Sequence, residues 1–141
     1  MLYVTRKEQF NAAHKLGNPA WSQEKNEAVF GKCANENWHG HNYDLYVTVK
    51  GKPNPETSFV IDLKLLSKLI KEEITDKVDH KNFNIDVDFM QGVMTSTESI
   101  VLKFWEILAP KIKELCDGEL HCIKLYETER NSVEYYGGFH K

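Results

Sequence analysis

His39-Gly40-His41-Asn42-Tyr43-Asp44-Leu45-Tyr46-Val47-Thr48-Val49-Lys50 is the stretch on which the architecture turns. Its odd positions are His39, His41, Tyr43, Leu45, Val47 and Val49, whereas its even positions from Asn42 onward are mostly polar. Alternation with period two marks a strand that turns one face to a core. Both histidines extend that inward face, two residues apart and close enough to share one ion. Gly40 between them leaves the opposite face open to close approach.

Toward the N-terminus, Tyr3 to His14 reads as a second strand, with Phe10, Ala12 and His14 on one face. A long loop is expected from there to about Trp38, punctuated by Gly17, Asn18, Pro19 and Gly31. Loops of that length in a small domain are usually functional or poorly ordered. Toward the C-terminus, a Gly51-to-Pro55 turn leads to a short strand over Ser58 to Ile61. Asp62 caps a helix running to about Val78, with Leu66, Leu69, Ile70 and Ile74 as its buried stripe. Asn82 to Val93 reads as irregular. Thr95-Ser96-Thr97-Glu98 matches a capping box and opens a second helix, which Pro110 should kink and Gly118 should close. Glu119 to Thr128 and Ser132 to Tyr136 then form a hairpin, the first with His121, Ile123, Leu125 and Glu127 on its apolar face. These elements predict an α+β fold, an antiparallel sheet with two helices packed on one face. The other face needs cover, which points to oligomerisation.

With 141 residues, 41% hydrophobic and 28% charged, the chain fits a single domain over 1–141. A net charge of −3 without a basic stripe argues against nucleic acid as a partner. No apolar run is long enough for a membrane span, and the opening Met1-to-Arg6 segment is neither a signal nor a transit peptide. A cytoplasmic location is expected. The three cysteines, with no C-x-x-C pair, fit a reducing compartment.

His14, His39 and His41 share what reads as one inward surface. Three neutral imidazoles suit Zn²⁺ with a free fourth position, although such ligands also suit other divalent transition metals. The plainer alternative is three separate histidines, each with an ordinary hydrogen bond. Cys33 stands in the polar, Gly-bordered stretch Gly31-Lys32-Cys33-Ala34-Asn35. It reads either as a free surface thiol or as a base whose thiolate Lys32 and a nearby cation favour. Asp79-His80 is either an exposed pair at a helix end or a carboxylate-oriented proton carrier. Glu127 either meets a ligand offering two parallel N–H groups, or pairs with Arg130, or lies where the strand has left the core. Glu98 is either the acid of the capping box or part of a polar ligand edge at exposed N–H groups from Thr97 onward.

The run Phe30-Gly31-Lys32-Cys33-Ala34-Asn35-Glu36-Asn37-Trp38-His39-Gly40-His41-Asn42-Tyr43 resembles the signature of the 6-pyruvoyl-tetrahydropterin synthase family. The likeness continues through Phe10-Asn11-Ala12-Ala13-His14, Asp79-His80-Lys81-Asn82, Ser96-Thr97-Glu98 and Tyr126-Glu127-Thr128. The resemblance implies the tunnelling fold, in which subunits trimerise into a barrel and two trimers stack as a homohexamer. It implies 7,8-dihydroneopterin triphosphate as substrate, and Zn²⁺ held by His14, His39 and His41. It further implies Cys33 as proton-abstracting base, Asp79 and His80 as a partner relay at the subunit contacts where the family's sites lie, and Glu127 as anchor of the pterin ring. Ser96, Thr97 and Glu98 would line the ring's pocket. The implied reaction is a lyase reaction, with internal redox transfer and loss of triphosphate.

Two products are known within that family, 6-pyruvoyl-tetrahydropterin toward biopterin and 6-carboxy-tetrahydropterin toward queuosine and deazapurines. The five residues from Ala34 to Trp38 between cysteine and HGH resemble the pyruvoyl branch, while Trp38 itself departs from its usual glycine. A pterin- or purine-binding module without turnover is the reading from another class, and the presence of Cys33, Asp79 and His80 speaks against it. A zinc hydrolase would call for a helical H-E-x-x-H arrangement, which the sequence lacks.

Overall fold

β1 (Leu2–His14) and β2 (His39–Gly51) pair antiparallel along their full length in the computed structural model, which describes residues 1–138. The register runs from Leu2 opposite Gly51 to His14 opposite His39, and the inward residues of both strands fall on one surface. β4 (Glu119–Tyr126) joins the free edge of β2, and β5 (Ser132–Tyr135) pairs with β4 across the expected hairpin. A two-residue strand, β3 (Lys81–Asn82), lies parallel to β1 at Ala12 and Ala13. The order is β3-β1-β2-β4-β5. The sheet is therefore mixed, not purely antiparallel as expected. The departure is confined to β3, where the chain leaves the first long helix and runs beside β1 in the same direction.

The core lies between one sheet face and two long helical stretches. α2 (Leu63–Ile70) continues through a π-helical turn (Lys71–Thr75) into α3 (Asp76–Val78), and α4 (Thr97–Leu115) follows later. Tyr43, Leu45, Val47, Val49, Ile123 and Leu125 of the sheet meet Leu66, Ile70 and Ile74 on one stretch and Ile100, Phe104 and Leu108 on the other. All twelve are fully buried. Each such side chain contributes about 1.5–3 kcal/mol relative to exposure, which is what holds the strands' inward face in place. Asp62 caps α2 as its sequence predicts, accepting from the Lys64 amide at 2.8 Å.

Several local expectations change. The long loop contains α1 (Gln23–Phe30) and a 3₁₀ turn (Gly31–Ala34). α1 buries only Asn26, so no apolar stripe announced it; its signal was Ser22, whose hydroxyl accepts from the Lys25 amide at 3.1 Å. Ser58 to Ile61 forms no strand. That segment folds back on Asn54, whose carbonyl accepts from the Ser58 amide at 2.7 Å and whose amide donates to Phe59 at 2.8 Å. α4 is capped by Ser96, not Thr95: the Ser96 hydroxyl accepts from the Ser99 amide at 3.2 Å. Glu98 thus misses the capping-box position by one residue and is exposed. Helix α4 passes through Pro110 without interruption and ends at the Cys116 cap. Gly118 serves a close approach instead, since a Cβ there would lie 2.5 Å from the Lys50 carbonyl oxygen.

The register between β2 and β4 shifts at Thr48/Val49. This bulge puts Leu120 in the core and turns His121 to the opposite face, against Tyr3 (ring centroids 4.6 Å apart) and Tyr136 (5.4 Å). His121 therefore leaves the apolar face to which simple alternation assigned it. Among the described residues, no helix is long and apolar enough to cross a membrane.

Candidate metal centre

The β1–β2 register brings the three histidines together at one end of the sheet. His14 stands opposite His39, and His41 stands opposite the small Ala12. Ring centroids are 4.5 Å apart for His14–His39, 5.1 Å for His14–His41 and 4.8 Å for His39–His41. One ring nitrogen from each can be chosen so that all lie within 4.8 Å of one another.

The protonation pattern follows from burial. His14 is wholly buried, and its Nδ1 lies 2.7 Å from the Thr95 carbonyl oxygen. A carbonyl only accepts, so Nδ1 carries the hydrogen and Nε2 is left with a lone pair. Burial pulls the pKa of His14 below its ordinary value, with the Thr95 carbonyl opposing and His39 assisting. Burial likewise lowers that of His41, against the pull of Glu127. Burial thus disfavours the charged form of both rings, which favours ligation. His14 Nε2, His39 Nδ1 and His41 Nε2 are buried and have no hydrogen-bond partner. Orphaned buried nitrogens are costly, and a cluster of them without a cation is an unfavourable arrangement. Three imidazoles with room for a fourth group match Zn²⁺, so the residues fit the expected ion.

Glu127 follows β4 directly and still faces the cluster. Its Oε2 accepts from the Thr97 hydroxyl at 2.7 Å and lies 3.8 Å from His14 Nε2. Its Oε1 lies 3.9 Å from His41 Nε2. Of the alternatives open in the sequence, the strand has not left the site at Glu127, and the carboxylate takes Thr97 where Arg130 was a candidate.

Cys33 sits half-buried on the 3₁₀ turn, and its carbonyl accepts from the Leu16 amide at 2.7 Å. That bond ties the cysteine segment to the chain just beyond His14. Burial pushes the thiol pKa up, and the negative charge of Glu127 pushes the same way. Lys32 is not among the groups that shift it, so the thiolate assistance expected from that lysine is not seen.

Asp79 and His80 lie elsewhere. The Asn11 amide donates to Asp79 Oδ1 at 2.8 Å, and the His80 amide donates to the Asn11 carbonyl at 2.6 Å. His80 Nδ1 is 3.1 Å from Asp79 Oδ2, with the imidazole 81% exposed. The Asn11 amide, and after it His80, holds the Asp79 carboxyl below its ordinary value. Among the described contacts, none joins this pair to the histidine cluster of the same chain. Of the three pocket candidates at the start of α4, Thr97 reaches the site through Glu127, Ser96 caps the helix and Glu98 points to solvent.

The inward position of Tyr43 on β2 predicts a core residue. It is fully buried, its ring stacks on Phe10 at 4.8 Å, and it meets the rings of His41 at 5.6 Å and His14 at 6.3 Å. Its hydroxyl is the fourth orphaned buried atom. Burial drives its pKa far up, and the charges of Glu127 and Cys33 act in the same direction. The sequence signal was its position, two residues beyond His41 on the inward face. Lys15 and Trp38, the chain neighbours of His14 and His39, line a cavity of about 410 Å³ with Trp21, Asn26 and Asn84. Trp38 adopts a positive φ of 67° there.

A family model described as 6-pyruvoyl tetrahydropterin synthase matches residues 3–138. The 6-pyruvoyl tetrahydrobiopterin synthase of Pongo abelii is 42% identical over 134 residues, covering 95% of this chain and 90% of that protein. The Dictyostelium discoideum protein of the same name is 37% identical and covers 95% of both. The 6-carboxy-5,6,7,8-tetrahydropterin synthase of Rickettsia bellii is similar at 26% identity over 149 residues, 95% of this chain and 99% of that protein. The solved 6-pyruvoyl tetrahydropterin synthase of Caenorhabditis elegans superposes with a TM-score of 0.86 at 32% identity, over 97% of this chain and 96% of that one. Matching relatives along nearly its whole length, with the imidazole cluster already assembled, the chain belongs to the 6-pyruvoyl tetrahydropterin synthase family.

Proposed function

We propose that the protein is a zinc-dependent lyase that converts 7,8-dihydroneopterin triphosphate to 6-pyruvoyl-tetrahydropterin. The observation that carries the reading is the convergence of three orphaned imidazole nitrogens beside Glu127, in a chain whose relatives bear that enzyme's name at 34–42% identity. The five-residue spacing from Cys33 to His39 supports the pyruvoyl product.

His14, His39 and His41 would hold the ion, whose double charge would acidify C–H bonds next to the oxygens it polarises. Glu127 accepts two parallel N–H groups of the pterin ring and so orients the side chain toward Cys33, while Thr97 keeps the carboxylate from turning away. Cys33 Sγ takes a side-chain proton, and the electron pair released passes into the ring. Asp79 holds Nδ1 of His80, which leaves Nε2 free to exchange a proton. Because that pair is exposed and makes no described contact with its own cluster, it acts in the site of an adjoining subunit, in a homohexamer of two stacked trimers. The side chain's own oxidation thus reduces the ring, so no external reductant is consumed, and triphosphate then leaves by redox-neutral elimination. The setting is cytoplasmic.

The test is anaerobic incubation with 7,8-dihydroneopterin triphosphate, mass analysis of the pterin product and an assay for acetaldehyde. A pyruvoyl product without acetaldehyde supports the proposal. Acetaldehyde with a carboxy product assigns the chain to the other branch, and binding without turnover makes it a pterin-holding module.

A further inference from the structure

The Glu127 carboxylate lies beside two of the three clustered imidazoles. Because Thr95 forces the hydrogen onto Nδ1, the neutral ring presents only an acceptor to Glu127 Oε2, 3.8 Å away. His41 Nε2, equally orphaned, meets the other oxygen, Oε1, at 3.9 Å. Neither distance is a hydrogen bond. The carboxylate and the acceptor face of His14 thus stand close together without a hydrogen bond, an arrangement that a cation near both stabilises.

The carboxylate is built into this position. Its Oε2 takes the Thr97 hydroxyl at 2.7 Å, Thr97 is buried in the first turn of α4, and the Glu127 amide donates to the Asn131 carbonyl at 3.1 Å. Each oxygen therefore addresses a different imidazole from a braced side chain. A residue needed only to grip a ring would not have to face the nitrogens that hold the ion.

We infer that Glu127, braced by Thr97, is a positioning residue for the metal itself, stabilising a divalent ion at His14, His39 and His41 before any substrate arrives. This rests on the metal reading of the three histidines. One carboxylate then serves both ion and ring, so its loss is felt in metal retention as well as in substrate binding.

The full chain, stripped of metal, is titrated with Zn²⁺ against a competing chromophoric chelator in the absence of any pterin. Wild type should take up one ion per chain, and Glu127→Gln should bind about 10–100-fold more weakly, the usual loss when a group supporting the ligands is removed. Thr97→Val should weaken binding in the same direction but less, and Thr97→Ser, which keeps the hydroxyl, should restore it. Circular dichroism of each metal-free variant separates weakened binding from misfolding, and the Thr97 pair carries the decision if Glu127→Gln does not fold. Wild-type affinity in Glu127→Gln, or equal affinity in Thr97→Val and Thr97→Ser, overturns the inference while leaving the metal site standing. Failure of wild type to bind zinc at all removes both.

Discussion

His14 and His80 flank the same short stretch of β1, yet they live in opposite surroundings. His14 is wholly buried, its pKa lowered by that burial, hydrogen-bonded on one nitrogen and orphaned on the other. His80 is 81% exposed, leans on the Asp79 carboxylate and docks its backbone onto Asn11. The first environment makes a ligand, because a neutral imidazole with an idle lone pair has nothing better to do than bind a cation. The second leaves a solvated ring beside a carboxylate, the setting that the proposed proton relay calls for. A single chain thus gathers three histidines that could hold an ion and leaves the Asp79–His80 pair facing outward.

The contrast breaks most sharply at the ligands. His41→Ala should abolish stoichiometric zinc, read by metal analysis after dialysis, and turnover with it. Next comes Cys33→Ala, which should cost about 10²–10⁴-fold in turnover, the range for a general base, with zinc content unchanged. Near-normal activity in that variant would show that the base lies elsewhere. His80→Ala should lower turnover less and also leave zinc in place. Mixing Cys33→Ala with His80→Ala subunits should restore part of the activity if each site draws its cysteine and its His80 from different subunits. No recovery would mean that each site draws both groups from one subunit.

The smallest effect concerns stability in acid. Asp79 is held below its ordinary value of 3.8, chiefly by the Asn11 amide. A lowered folded-state pKa contributes stability that is fully present above 3.8 and is lost as pH falls through the folded value. Asp79→Asn should therefore flatten that part of the acid-unfolding curve while leaving the midpoint near neutral pH almost unchanged, since the side chain is partly exposed.

Much of this contrast was visible in the residues themselves. The period-two pattern of His39 to Lys50 and the face shared by Phe10, Ala12 and His14 name the strands and put three imidazoles inside, because alternation is a local property of an extended chain. The stripe of Leu66, Ile70 and Ile74 and the cap at Asp62 are equally local, and α2 forms where they predict. Where the local signal is weak, the reading failed. α1 buries a single asparagine and shows no stripe, and the bulge that turns His121 outward depends on a partner strand some seventy positions away. Ser96 wins the cap from Thr95 because the Thr95 hydroxyl is engaged by Lys15 and Asn84, long-range contacts that no window of sequence contains.

By itself, then, the amino-acid order determined which residues extend, which coil, and that histidines 14, 39 and 41 lie on inward faces. Only the folded chain decided that His14 stands opposite His39, that the Thr95 carbonyl selects the tautomer, and that Thr97 turns Glu127 toward two imidazoles. The division has a physical cause. Backbone preference and amphipathic period act over a few neighbouring residues, whereas register and hydrogen-bond partners are selected when distant segments compete to bury the same surface and satisfy the same polar groups.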